Sequence, residues 1–147
     1  MVSESDVLKL LASSNWLTKG SKRKNLTRHL RSAVNGEDGI IASRAIYLAA
    51  EIKTKVCIQI VKDAAFGRNT NLRIAAASVA SELPLKDAVE VLSKLLNSKN
   101  ISIRKKALES AAKLMAAELL PQLKVISKRD PVFSLKQLAK KLVAQLT

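Results

Sequence analysis

The chain repeats itself at a spacing of about 30 residues, and that spacing excludes most folds. Asn69-Thr-Asn-Leu-Arg73 and Asn100-Ile-Ser-Ile-Arg104 open two copies of one pattern, 31 residues apart. Arg44, in IIASRAIYLAAEI, stands 29 residues before Arg73; Ser134, in DPVFSLKQLAKKL, stands 30 after Arg104. Each copy holds a small-residue-rich segment and then a Leu-rich one, both with helical periodicity. One helix pair of this size cannot bury its apolar face alone, whereas stacked pairs share a continuous core. The period therefore predicts an all-α fold: a right-handed solenoid of stacked antiparallel helix pairs.

Composition fits such packing. Apolar residues make up 48% of the chain and aromatics 3%, so Ala permits close helix approach and Leu fills the grooves. A single domain over 1–147 is expected, with 1–36 as an atypical N-terminal cap. Residues 38–147 then form about three and a half repeats. Periodicity and breakers predict helices near 3–13, 22–35, 38–52, 54–66, 70–82, 86–97, 101–115, 118–128 and from Asp130-Pro131 to about Leu146. Gly67 is expected to end its helix in a left-handed turn. Asp130 and Pro131 are expected as N-cap and first helical residue. Leu85, Ala88, Val89, Leu92, Leu95 and Leu96 are expected on one buried face. Lys86, Glu90 and Lys94 are expected as a solvated strip along the other.

The openings Asn69…Arg73, Asn100…Arg104 and Asp130-Pro131-Val132, each leading into a small-residue helix and then a Leu-rich one such as AVEVLSKLL, resemble short HEAT-like repeats of the armadillo/HEAT superfamily. The resemblance covers residues 38–147. It implies that Arg44, Arg73 and Arg104 join a structural polar ladder between neighbouring repeats, lapsing at Ser134. It implies little about function, since such arrays bind proteins, bind nucleic acid, assist pigment attachment, and in one branch excise alkylated bases from DNA.

Most chemistry is excluded by what the chain lacks. One histidine, His29, and one cysteine, Cys57, cannot furnish a structural zinc site, so no metal and no cofactor are expected. Cys57 lies among apolar residues at helical spacing and reads as a small buried hydrophobe. The glycines are isolated, so no loop cradles a phosphate. His29 lies in a basic stretch without a neighbouring acid, so no nucleophile system forms around it. A base-excising glycosylase needs aromatics and an acid around an extruded base; Trp16, Tyr47, Phe66 and Phe133 are scattered. The expectation is a protein that is not an enzyme. Trp16 reads as an anchor of the cap. No segment has the roughly 20 apolar residues of a membrane span. The acidic N-terminal stretch lacks the pattern of a secretory signal, and a cytoplasmic or nucleoplasmic setting is expected.

Charge is the remaining functional signal. Lys and Arg number 26 against 12 acids, a net charge of +14, which attracts polyanions at long range. One cluster spans Lys19 to Arg31 with no acid, including Lys22, Arg23, Lys24, Arg28 and Arg31; Lys24, Arg28 and Arg31 form one helical stripe. A second cluster emerges when the repeats are aligned: Arg68, Lys99 and Arg129 precede successive openings. Such stripes fit a phosphate backbone, and they equally cap helix dipoles or stay solvated. The sequence expectation is a non-catalytic module binding DNA or RNA through these residues. The alternative is a protein–protein scaffold or adaptor that binds an acidic protein surface.

Overall fold

In the computed structural model the backbone is described for residues 20–147 and side chains from Thr27 onward. The helix predicted over 3–13 and Trp16 lie outside the described residues. The chain forms helices α1 (Gly20–Val34), α2 (Gly39–Ile52), α3 (Lys55–Phe66), α4 (Thr70–Val79), α5 (Leu85–Leu95), α6 (Ile101–Leu114), α7 (Leu120–Arg129) and α8 (Phe133–Leu146). Two 3-10 turns, Ala80–Glu82 and Ala117–Leu119, follow α4 and precede α7. Among the described residues there is no strand.

Local chemistry sets where the helices begin. The first backbone N–H groups of a helix have no partner within it, so a short polar side chain before it satisfies them. Asp38 accepts from Ile40 and Ile41, Thr54 from Cys57, Asn69 from Leu72 and Asn100 from Ile103. The helix ends differ from expectation. Gly67 has φ −81° and ψ −174°, an extended conformation; the left-handed ends fall on Lys53 and Met115. A Cβ at Gly67 would lie 3.1 Å from the Asp63 carbonyl oxygen, so close approach, not handedness, favours glycine there. Asp130 is not an N-cap: Val132 precedes α8, and Pro131 lies outside the helix.

The helices stack in two layers. In one, α4 packs between α2 and α6, and α6 meets α8. Its contact surfaces are built on Ala45, Ala49, Ala76, Ala107 and Ala139, all fully buried. Ala brings helix axes close, which leaves space for little else. In the other layer α3 packs on α5, while α5 meets the Ala117–Leu119 turn and α7 lies along α8. Larger side chains fill the space between layers, among them Val61, Leu92, Leu95, Leu96, Leu108, Leu119 and Leu123. Leu30 and Ala33 fasten α1 to the same core, and Cys57 is buried within it. On α5 the buried face is Ala88, Val91, Leu92 and Leu95. Leu85 is instead 53% exposed and Val91 takes its place inside, because α5 starts at Leu85, where the first turn overhangs the core.

Candidate functional site at the inter-repeat corners

Each opening of a repeat is a corner where a second helix hands over to the next first helix. Arg104, on α6, is buried and makes four hydrogen bonds. Its Nε and Nη2 donate to the Asp130 carboxylate at 2.8 and 3.2 Å. Its Nη1 donates to the Ser98 and Lys99 carbonyls at 3.0 and 3.1 Å. One guanidinium thus ties its own repeat's opening loop to the next loop. Asp130 also accepts from the Val132 N–H at 2.9 Å. A buried charge pair is tolerated only when hydrogen bonds satisfy both partners, and here they do.

The preceding corner has the same backbone plan and weaker chemistry. Arg73, on α4, is half-buried. Its Nη2 reaches Ser98 Oγ at 3.4 Å. Ser98 is as buried as Asp130, each 8% exposed, and its Oγ accepts from the N–H two residues on, that of Asn100. Ser98 therefore holds in this corner the place that Asp130 holds in the next. The earliest corner has no ladder: Arg44 is exposed and has no hydrogen-bond or ion-pair partner among the described residues. Counted from the N-caps, the residue matching Arg73 and Arg104 on α2 is the buried Ala42, four after Asp38. Ser134, where the ladder is expected to lapse, is exposed on α8.

These matches also rearrange the expected cationic row. Arg68 and Lys99 directly precede the N-caps Asn69 and Asn100. Arg129 is the last residue of α7, three before the N-cap Val132. All three are exposed, but Arg129 is out of register with the other two. The N-caps Asn69, Asn100 and Val132 stand 31 and then 32 residues apart, so the last corner is longer than a strict 30-residue period assumes. Arg28 and Arg31 are exposed on α1. Lys22, Arg23 and Lys24 belong to the same helix, and their side chains lie outside the described residues.

Two charge features escape sequence periodicity. Lys62 on α3 bridges Asp87 at 2.6 Å and Glu90 at 2.8 Å on α5. Glu90 therefore works across helices and not in a strip with Lys86 and Lys94. Hydrogen bonds that Lys62 donates to Asp87 and then to Glu90 raise its ammonium above the ordinary value, against a smaller opposing effect of burial. Lys94 lies over the Phe66 ring, 5.8 Å from its centroid, within reach of a cation–π attraction.

Two of the concavities among the described residues lie beside Arg44 and Arg73. One, of about 660 Å³, lies between α2 and α4; Ile40, Arg44, Tyr47, Asn71 and Ile74 are among its walls. The other, of about 580 Å³, lies at the Arg73 corner. Among the described residues no group of His, Cys, Asp and Glu is placed to hold a metal ion. No described helix is long and apolar enough to cross a membrane.

No protein-family model matches the chain, and no curated protein matches its sequence. A solved structure does match in fold: the complex of CpcE and CpcF of phycocyanin lyase from Nostoc sp. PCC7120, with a TM-score of 0.65 and 17% identity, covering 95% of this chain and 99% of that one. The likeness shows an all-α, HEAT-like helical repeat fold. It also corrects the expectation of a DNA- or RNA-binding module. The matching structure is a complex of two proteins, and the likeness sides with the alternative of a protein partner. Within the expected cationic row, Arg129 is out of register with Arg68 and Lys99.

Proposed function

We propose that this chain is a protein–protein interaction module whose partner offers acidic and apolar groups together. The observation that carries the proposal is a set of exposed apolar residues at one end of a layer, interrupted at α4, which opens with Thr70 and Asn71. Ile40, Ile101 and Phe133 are 70%, 53% and 74% exposed. They occupy the first or second positions of α2, α6 and α8, the same end of three helices in one layer. Large apolar side chains repeated along one edge mark a contact surface more than a solvated one. Arg68, Lys99 and Arg129 stand among them at the corners. Apolar anchors with cations at the neighbouring corners fit a protein surface of opposite charge. The net charge of +14 steers such a partner inward.

The fold likeness supports a second reading, in which the partner is a chromophore-bearing protein and the module works in a pair, as CpcE and CpcF do in the lyase complex. Both readings predict a protein partner.

The test is affinity capture after nuclease treatment, comparing the wild-type chain with the double variant Ile40→Asp, Phe133→Asp. A protein retained by the wild type and lost by the variant, with unchanged helicity in both, supports the proposal. Capture that disappears with nuclease, or that ignores the two substitutions, overturns it.

A further inference from the structure

The ladder is complete at Arg104 and incomplete at Arg73. Arg104 meets a carboxylate through two N–H groups. Arg73 meets only a hydroxyl, at 3.4 Å, which leaves most of its N–H donors without a protein partner. The fold thus builds the same corner twice and supplies the acid once.

The incomplete corner is also hollow. A concavity of about 580 Å³ opens there, lined by Arg73, Lys94, Asn97, Ser98, Lys99 and Asn100. Three of these are cations and none is an acid. The nearest acids on α5, Asp87 and Glu90, are bonded to Lys62. Phe66 holds Lys94 at one wall, and Lys99 is exposed at the loop. Asn100 is held by capping Ile103. The free donors of Arg73 are not buried away from solvent, and one anion reaching them gains charge-assisted, paired hydrogen bonds.

We infer that this cavity is a carboxylate-binding site, and that an Asp or Glu side chain of the partner protein enters it to pair with Arg73 as Asp130 pairs with Arg104. Lys94 and Lys99 add charge around the entering acid and exclude cationic side chains. The assignment rests on the protein-binding role proposed above and names the contact that role uses at this corner. Carboxylate is the indicated chemistry because the equivalent corner of the same molecule already accepts one, with two oxygens on two nitrogens.

Ser98→Asp tests it directly. The substitution supplies the missing acid from within, so it closes the site while completing the ladder. The probe is a short fluorescein-labelled peptide of alternating glutamate and alanine, titrated at low salt and followed by anisotropy. Ser102→Asp, exposed in the first turn of α6, carries the same charge change at a residue that does not line the cavity and serves as control. The expected result is binding by the wild type and by Ser102→Asp, with Ser98→Asp weaker by about tenfold or more, as for the loss of a charged hydrogen-bond pair. Arg73→Gln, which keeps a polar side chain and removes the charge, is expected to match that loss and covers the case in which Ser98→Asp disturbs the loop. Equal affinity of Ser98→Asp, Arg73→Gln and Ser102→Asp overturns the site, as does a wild type that ignores the peptide. Either result leaves the protein-binding role standing if Ile40→Asp, Phe133→Asp still abolishes partner capture.

Discussion

Arg104 and Asp130, 26 residues apart in sequence, meet as a paired, buried contact with Nε–Oδ2 at 2.8 Å and Nη2–Oδ1 at 3.2 Å. Their side chains are 10% and 2% exposed. Neither charge has access to enough water to compensate for losing the other. Asp130→Ala is therefore expected to destabilise the fold by about 3–5 kcal/mol, the usual cost of stranding one member of a buried pair. Urea unfolding followed by circular dichroism measures it. A loss under about 1 kcal/mol would mean that water reaches Arg104. Arg104→Met combined with Asp130→Leu is expected to recover a good part of the loss, because the unpaired charge goes with the acid.

The contact between α4 and α6 leaves little slack. Ser110 Oγ donates to the Ala77 carbonyl across that interface, beside Ala76, Ala107 and Ala111. Ser110→Ala should cost about 0.5–1.5 kcal/mol, the net worth of a hydrogen bond. Ala107→Leu should cost more, about 1–3 kcal/mol, since the layer has no room for three further carbons. Thermal unfolding of both variants checks the order. If Ala107→Leu proves the milder change, the layer is looser than its buried alanines indicate.

Lys62 gives a pH signature. Its folded-state value is raised above the ordinary 10.5 by Asp87 and Glu90. The stabilisation is then fully present below the unfolded value and is lost as pH rises through the raised folded value. Stability should fall through this group only on the alkaline side of 10.5. Lys62→Met should remove that alkaline component at a cost of about 1 kcal/mol at neutral pH, as partly exposed pairs are screened. Denaturant titrations at neutral and alkaline pH on both proteins decide it; an unchanged pH profile in the variant would assign the alkaline loss to other groups.

The cap at Asn100 is testable on its own. Its Oδ1 accepts from the Ile103 N–H at 3.2 Å. Asn100→Ala should lower stability by about 1 kcal/mol, and Asn100→Asp should hold it, because an acid at a helix start is favoured by the dipole. Hydrogen exchange at the first turn of α6 reads the difference. Faster exchange in both variants alike would show that the amide, not the oxygen, is what matters there.

Exposed edge residues should behave in the opposite way to the core. Phe133 is 74% exposed and Ile40 70%. Phe133→Ser and Ile40→Ser should each shift stability by less than about 0.5 kcal/mol. Unfolding midpoints well below wild type would place these side chains in the fold's own packing and remove them from the contact surface.

Much of the architecture was legible in the residues alone. The spacing of Arg73 and Arg104 and the alternation of Ala-rich and Leu-rich segments are local or strictly periodic signals, and local backbone chemistry obeys them. Asn69 and Asn100 open helices because their side chains cap the N–H three residues on, which needs nothing from the rest of the molecule. The net charge, likewise, is a property of composition. What the charges do is not. Periodicity put Arg44, Arg73 and Arg104 in one class, yet one is exposed, one half-buried and one buried. Their fates depend on what stands about 25 residues later, and a shift of one residue in loop length exchanges Ser98 or Asp130 for a lysine or a proline. Glu90 found Lys62 on another helix in place of its own neighbours because α3 and α5 lie side by side. A charge answers to the field around it in space, and only the stacking of the repeats creates that field. Sequence determined that helices form and stack; tertiary structure alone decided which arginine is satisfied and which still lacks an acid.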